Sequence, residues 1–170
     1  MITQLPPVDP EELSNLYAML EYINFPKEKY ENRKGFGDNS RCMVFGIRRA
    51  RRTQEIGLSA ATLKYPYVWD ELQRIGRLLN FQFTSIHLNK NVVCDWHTDK
   101  GNIGNTVILS LGDYEGCNLE LRGLGEFNTN CTPILFDGKL IEHRTTPLLS
   151  GTKYSIVFYT HVCALFSPDT

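Results

Sequence analysis

The sequence predicts an α+β fold, with helices in its first half and a second half of short strands that closes into a barrel, sandwich or jelly roll. Three observations predict it. Two segments, roughly 9–25 and 68–79, repeat apolar side chains at helical spacing. From residue 81 the pattern changes to short β-branched and aromatic runs: "FQFTSIHLN", "VVCDWHTD", "TVILSLGD", "CNLELRG", "TPILFDG" and "YSIVFYTHV". Gly, Asn, Asp and Pro punctuate those runs, as in all-β sandwiches and jelly rolls. A chain of 170 residues suits one domain, 1–170, and can bury a core without metal or disulfide staples. Residues 1–80 are expected to be mostly helical support with a basic loop, and residues 81–166 the β core.

The first helix is expected to begin at Asp9, a good N-cap, with Pro10 in the first turn and Glu11 and Glu12 at the positive end of the helix dipole. Leu13, Leu16, Tyr17 and Leu20 form its apolar face. Residues 26–41, rich in Lys, Asn, Gly and Asp, read as loop, and 42–47 as a strand. In the second helix Val68, Leu72, Ile75 and Leu79 share one face, with Arg74 and Arg77 off it.

Composition narrows the function classes. No apolar run approaches the roughly 18 to 20 residues of a membrane span, so no membrane partner is expected. The start, "MITQLPPVDPEEL", lacks the basic, apolar and cleavage regions of a signal peptide. Five scattered cysteines (Cys42, Cys94, Cys117, Cys131, Cys163) form no C-x-x-C pair, which points to reduced thiols in an intracellular compartment, cytoplasm or nucleus. A net charge of −1 carries no global nucleic-acid signature. Locally, however, "RCMVFGIRRARR" holds Arg41, Arg48, Arg49, Arg51 and Arg52 and no acid. That pattern fits a patch for an anionic polymer, and equally a solvated loop.

The chemistry-bearing residues sit in the β half. In "VVCDWHTDKGN", His97 and Asp99 are two positions apart, and on a strand such side chains point to the same face. His143, in "KLIEHRTT", closes another strand-like run. Two histidines and one carboxylate are the facial triad of non-haem Fe(II) oxygenases, which leaves three metal positions open. In "KYSIVFYTH" one strand face carries Ile156, Phe158 and Thr160, and the other carries Lys153, Ser155, Val157, Tyr159 and His161. A lysine and a serine there suit the distal carboxylate of a small dicarboxylate whose other end chelates the metal.

With those residues in view, the sequence resembles the 2-oxoglutarate/Fe(II)-dependent dioxygenases: H-x-D, a distal His, and a basic residue ten positions on. "HTDKGN" is similar to the H-x-D-x-x-N signature of their TET/JBP-like branch of DNA base hydroxylases. "KYSIVFYTH" is similar to that branch's last core strand, R-x-S-L-V-F-Y-x-H. The resemblance covers about residues 81–166. It implies a double-stranded β-helix (jelly-roll, cupin-like) core with Fe(II), 2-oxoglutarate as cosubstrate, O2, and ascorbate as reductant. It implies that His97, Asp99 and His143 ligate iron and that Lys153 and Ser155 hold 2-oxoglutarate; Asn89, on "FTSIHLN", is a further candidate for that end of the pocket. Asn102, Tyr159 and His161 would contact a flipped 5-methylpyrimidine in DNA; the separate basic patch, Arg48, Arg49, Arg51 and Arg52, would suit the phosphates of such a substrate. The product would be the 5-hydroxymethyl or a higher oxidised form, with 5-methylcytosine favoured over thymine. Separately, a monomer is expected. Lys153 departs from the branch's usual arginine, replacing a two-pronged fork with a point charge.

Plainer readings stand beside these. Asn102, after Lys100 and Gly101, also fits a turn. Tyr159 fits a core aromatic, and His161 a strand end. His87 belongs to no motif and reads as structural. At the level of function the alternatives are a 2-oxoglutarate-dependent hydroxylase of a protein side chain or small molecule, and a non-catalytic β-barrel binding module.

Overall fold

Asp9 opens the first helix as expected, its side chain accepting a 3.0 Å hydrogen bond from the Glu11 N–H. The structure is a computed structural model and describes residues 2–26, 40–50 and 52–166. After the short β1 (Thr3–Gln4) and α1 (Pro10–Tyr22) come β2 (Arg41–Arg49), β3 (Ile56–Leu58), α2 (Ala60–Lys64) and α3 (Pro66–Leu78). The β half follows with β4 (Ser85–Lys90), β5 (Asn102–Gly116), β6 (Leu119–Leu121) and β7 (Gly125–Phe127). It ends with β8 (Ile134–Phe136), β9 (His143–Thr145), β10 (Leu148–His161) and a 3-10 turn at Val162–Phe166.

The strands form a seven-stranded sheet, ordered β1-β8-β5-β10-β4-β2-β3, and a three-stranded sheet, ordered β7-β6-β9. Every pairing between named strands is antiparallel. The helices lie on one face of the large sheet. Leu13, Leu16 and Leu20 of α1 and Val68, Leu72 and Ile75 of α3 join one buried cluster with Phe45, Ile86, Leu88, Leu109, Ile156 and Phe158. Truncating a member such as Leu16, which is fully buried, costs about 2–5 kcal/mol in sites of this kind. Arg74 of α3 reaches across to Glu12 of α1 at 2.9 Å, and is held within its own helix by Glu71 at 2.6 Å. The small sheet covers the other face with a second apolar cluster of Leu119, Leu121, Ile134 and Phe136. Between the sheets, toward one end, lies the pocket described below. The architecture is the expected α+β double-stranded β-helix with helices bracing one side.

Alternation along β10 matches the period-2 reading. Tyr154, Ile156 and Phe158 are buried against the helices. Lys153, Ser155, Val157, Tyr159 and His161 line the pocket. The register sets Ser155 opposite Asn89 and Ser110, and Val157 opposite His87 and Ile108. Next to Tyr159 the β5 ladder is interrupted: Phe158 pairs with Val107 but Thr160 pairs with Ile103. Residues 104–106 thus oppose Tyr159 alone. Gly104 supplies the positive φ of 71° that such a bulge requires.

Several expectations are corrected. "VVCDWHTD" forms no strand; among residues 91–101 only His97 makes a β-bridge, with His143. The segment is held by tethers to β9 instead of a ladder. His143 opens β9 rather than closing a strand, because Asp137 accepts from the Lys139 and Leu140 N–H groups (3.0 and 3.2 Å) and makes a turn of the residues before it. Strand β10 starts at Leu148, so Lys153 lies within it rather than at its beginning. The strand expected at 42–47 is present as the longer β2, whereas β3 comes from a part not read as strand; together they extend the large sheet at one edge. Of the expected loop at 26–41, residues 27–39 lie outside the described residues, and Arg41 already belongs to β2.

Candidate metal centre and pocket

Three segments converge at the pocket end of the small sheet. The His97 and His143 backbones exchange hydrogen bonds of 3.0 Å in both directions, and the Asp99 N–H donates to the Gly138 carbonyl at 2.8 Å. One potential ligand atom from each of His97, Asp99 and His143 lies within 4.8 Å of the others. Asp99 Oδ1 is 3.7 Å from His97 Nε2, and Asp99 Oδ2 is 3.4 Å from His143 Nε2. Donors about 2.1 Å from one metal and at right angles stand about 3.0 Å apart, so these separations suit a shared divalent ion. Each imidazole is also oriented from behind. His97 Nδ1 lies 2.7 Å from the Asp95 carbonyl, and His143 Nδ1 lies 2.7 Å from the Ile141 carbonyl. A carbonyl there selects the Nδ1–H tautomer and leaves the Nε2 lone pair for a metal. The donor set therefore fits the facial triad.

A cavity of about 500 Å³ opens from this triad, within the size range of small-molecule sites. It brings together all nine residues expected at the metal, cosubstrate and substrate positions: His97, Asp99, His143, Asn89, Lys153, Ser155, Asn102, Tyr159 and His161. Arg48, Arg49 and Arg52 are not among its lining residues, and Arg51 lies outside the described residues. Arg48 and Arg49 are nevertheless close enough to act on the charge states of Tyr159 and His161 respectively.

Known structures share this architecture. NgTET1, solved in complex with 5mC DNA, aligns with a TM-score of 0.65 at 16% identity, over 94% of this chain and 72% of that chain. A 2OG-Fe(II) oxygenase family oxidoreductase from Burkholderia pseudomallei aligns at 0.59 and 14% identity, over 93% of this chain and 84% of its own. The viral collagen prolyl hydroxylase vCPH of Paramecium Bursaria Chlorella virus-1, in its 2OG complex, aligns at 0.57 and 15% identity, over 93% and 94%. The fold is that of the 2OG-Fe(II) oxygenases. By sequence, no family model and no curated protein matches the chain.

Within this oxygenase fold the electrostatics divide the pocket. At one end Lys153 is only 3% exposed, and burial lowers its pKa, an effect that neighbouring Cys117 partly offsets. Its ammonium donates to the Cys117 carbonyl and stands 5.5 Å from the centre of the Tyr114 ring. No Asp or Glu pairs with it among the described residues. The buried Tyr114 hydroxyl has no hydrogen-bond partner among the described residues, and the Ser110 and Thr129 hydroxyls bond one another at 2.7 Å. Asn89 reaches Ser155 Oγ at 3.4 Å. At the triad, the Cys94 thiol pushes the His97 imidazole up to about 9 against the opposing effect of burial. Burial would raise the Asp99 carboxyl, but His143, then His97 and His87, hold it below its ordinary value. At the other end, burial and then Arg49 lower the pKa of His161. Burial raises the Tyr159 hydroxyl, with Arg48 opposing.

Sequence reasoning missed four contributors. His87, read as structural, lies in the pocket wall with its ring 5.2 Å from that of Tyr159. Cys94 and Thr145 line the triad end and hydrogen-bond to one another. Gly138 matters through what it lacks: a Cβ there would stand 2.7 Å from Asp99 Oδ2. Its only sequence signal is the "FDG" turn before His143. Gly138→Ala should therefore displace the Asp99 carboxylate and weaken metal retention with little loss of fold. Metal content after gel filtration, alongside circular dichroism, checks this; wild-type metal content in the variant would contradict it.

Proposed function

We propose that this chain is an Fe(II)- and 2-oxoglutarate-dependent dioxygenase that oxidises the methyl group of a 5-methylpyrimidine in DNA, with 5-methylcytosine ahead of thymine. The observation that carries the cosubstrate reading is Lys153. A buried cation is costly unless paired, and this one shares a cavity with a two-histidine, one-carboxylate face yet has no acidic partner among the described residues. An incoming dicarboxylate supplies the missing charge at one end and metal-chelating oxygens at the other.

In this reading His97, Asp99 and His143 hold Fe(II). The iron, when bound, couples the oxidation of 2-oxoglutarate to succinate and CO2 with transfer of the second oxygen atom of O2 into a C–H bond of the substrate. The chain's own residues bind and position. Lys153 and Ser155, with Asn89, fix the cosubstrate's far carboxylate and so its orientation. Tyr159 stacks on the target base, and Asn102 and His161 bond to its polar edge. A methyl group inside a duplex is out of reach, so the base must flip into the cavity; stacking offsets part of that cost. Arg48, Arg49, Arg51 and Arg52 would track the phosphates, making affinity fall steeply with salt. Support for DNA comes from "HTDKGN", "KYSIVFYTH" and the likeness to NgTET1 with 5mC DNA.

A second reading keeps the reaction and changes the substrate to a protein side chain, favoured by the likeness to vCPH, which matches 94% of that chain. Succinate release with methylated DNA, unmethylated DNA and proline-rich peptides separates the two. Stimulation by methylated DNA alone supports the DNA reading, and stimulation by peptides alone overturns it.

The buried lysine also sets a pH dependence. Below its folded pKa Lys153 is charged and holds the anion; above it the charge is lost. That pKa lies under the ordinary 10.5, and a bound carboxylate favours the protonated form. Cosubstrate affinity should therefore fall as pH rises through the alkaline range. Lys153→Arg, always charged, should flatten that fall. Half-saturating 2-oxoglutarate measured from about pH 7 to 10 tests this; identical profiles for the two proteins would refute it.

A further inference from the structure

The segment that carries His97 and Asp99 has no ladder of its own, yet it brings two of the three ligating side chains. Contacts with β9 fix it rung by rung. The Cys94 N–H donates to Thr145 Oγ1 at 2.7 Å, and the Thr145 N–H to the Cys94 carbonyl at 3.0 Å. His97 and His143 form the bridge described above. Between these rungs stands Trp96, half-buried, with two guanidiniums over its ring. Arg122 Cζ is 4.1 Å from the ring centre and Arg144 Cζ is 4.9 Å.

Both guanidiniums are themselves aimed. Arg122 meets Glu142 with two prongs, Nε to Oε2 at 2.6 Å and Nη2 to Oε1 at 3.2 Å. Arg144 Nε meets Glu120 Oε2 at 2.6 Å, and those two residues are direct cross-strand partners on β9 and β6. Half-exposed ion pairs add little stability by themselves. They do hold two flat cations in position, and flat cations stack on indole with defined geometry. Arg144 also follows His143 directly, so the Trp96 contact joins the neighbours of two metal ligands. Nothing in the H-x-D pattern calls for an aromatic residue before His97.

We infer that Trp96 is a positioning residue for the metal centre. Its indole, gripped by Arg122 and Arg144, sets the His97 backbone so that Nε2 faces Asp99 and His143. The inference rests on the metal reading above.

The test is Co(II) titration of the metal-free protein, followed by visible absorption, without turnover. Trp96→Ala should weaken Co(II) binding roughly tenfold or more, as loss of support around a metal site does. Its circular dichroism should be unchanged. Trp96→Phe, which keeps a ring for the guanidiniums, should restore most of that affinity. If Trp96→Ala does not fold, the double variant Arg122→Gln/Arg144→Gln decides, and it too should weaken Co(II) binding. Wild-type affinity in Trp96→Ala, or in the double variant where that one decides, would overturn the inference. Failure of Trp96→Phe to improve on Trp96→Ala would overturn it as well. A wild-type protein that takes up no Co(II) would instead overturn the metal reading itself, so the two failures are distinguishable.

Discussion

Replacing Asp99 with Ala should leave a folded protein that neither retains Fe(II) nor releases succinate. His97→Ala and His143→Ala should do the same, and these are the largest effects the account expects. Each removes one of three donors gathered within 4.8 Å, and two remaining donors hold a divalent ion too weakly to survive dilution. Asp99→Asn is the most discriminating variant. It keeps the volume beside Gly138 and the separations of 3.4 and 3.7 Å to the two imidazoles, but removes the negative charge. Metal analysis and succinate release should both fall to background. Full turnover in any of these variants would refute the metal assignment.

Lys153→Ala should raise the 2-oxoglutarate requirement by at least about thirtyfold, since losing one side of a buried charge pair costs about 2–5 kcal/mol. DNA binding and Fe(II) retention should hardly change, because the ammonium lies at the end of the cavity away from His161 and belongs to no ligand. Unlike most buried charge deletions, this one leaves no orphaned acid among the described residues, where the Cys117 carbonyl and the Tyr114 ring stand beside Lys153. The defect should therefore show in cosubstrate saturation and not in thermal stability. Saturation curves for 2-oxoglutarate, with melting temperatures, check this. An unchanged requirement would transfer the clamp to another residue.

The legible parts of the sequence were those with local period. Helix α1 announced itself through Asp9 and its leucines. The inward row of β10 followed from alternation alone, and H-x-D placed two potential ligands together even though their segment is no strand. The illegible parts depend on partners distant in the chain. The bridge of His97 to His143, the empty space at Gly138 that admits Asp99, and the stacking of Trp96 with Arg122 and Arg144 exist only once β6 and β9 pair. Strands β7 and β9, three residues each, are too short for a period-2 signal. His87 escaped because a single histidine on a half-buried strand carries no sign of which face is a pocket. Lys153 was legible as a residue but not as an unpaired one, since pairing is a property of the fold.

The most direct test of the central claim is mass spectrometry of nucleosides from 5-methylcytosine-containing DNA incubated with the protein, Fe(II), 2-oxoglutarate and O2, omitting each component in turn. The account predicts 5-hydroxymethylcytosine or a higher oxidised form, one succinate per oxidation step, and no product when any component is withheld. Unchanged 5-methylcytosine in the complete reaction, under conditions where the same protein oxidises a peptide or a free small molecule, would contradict it.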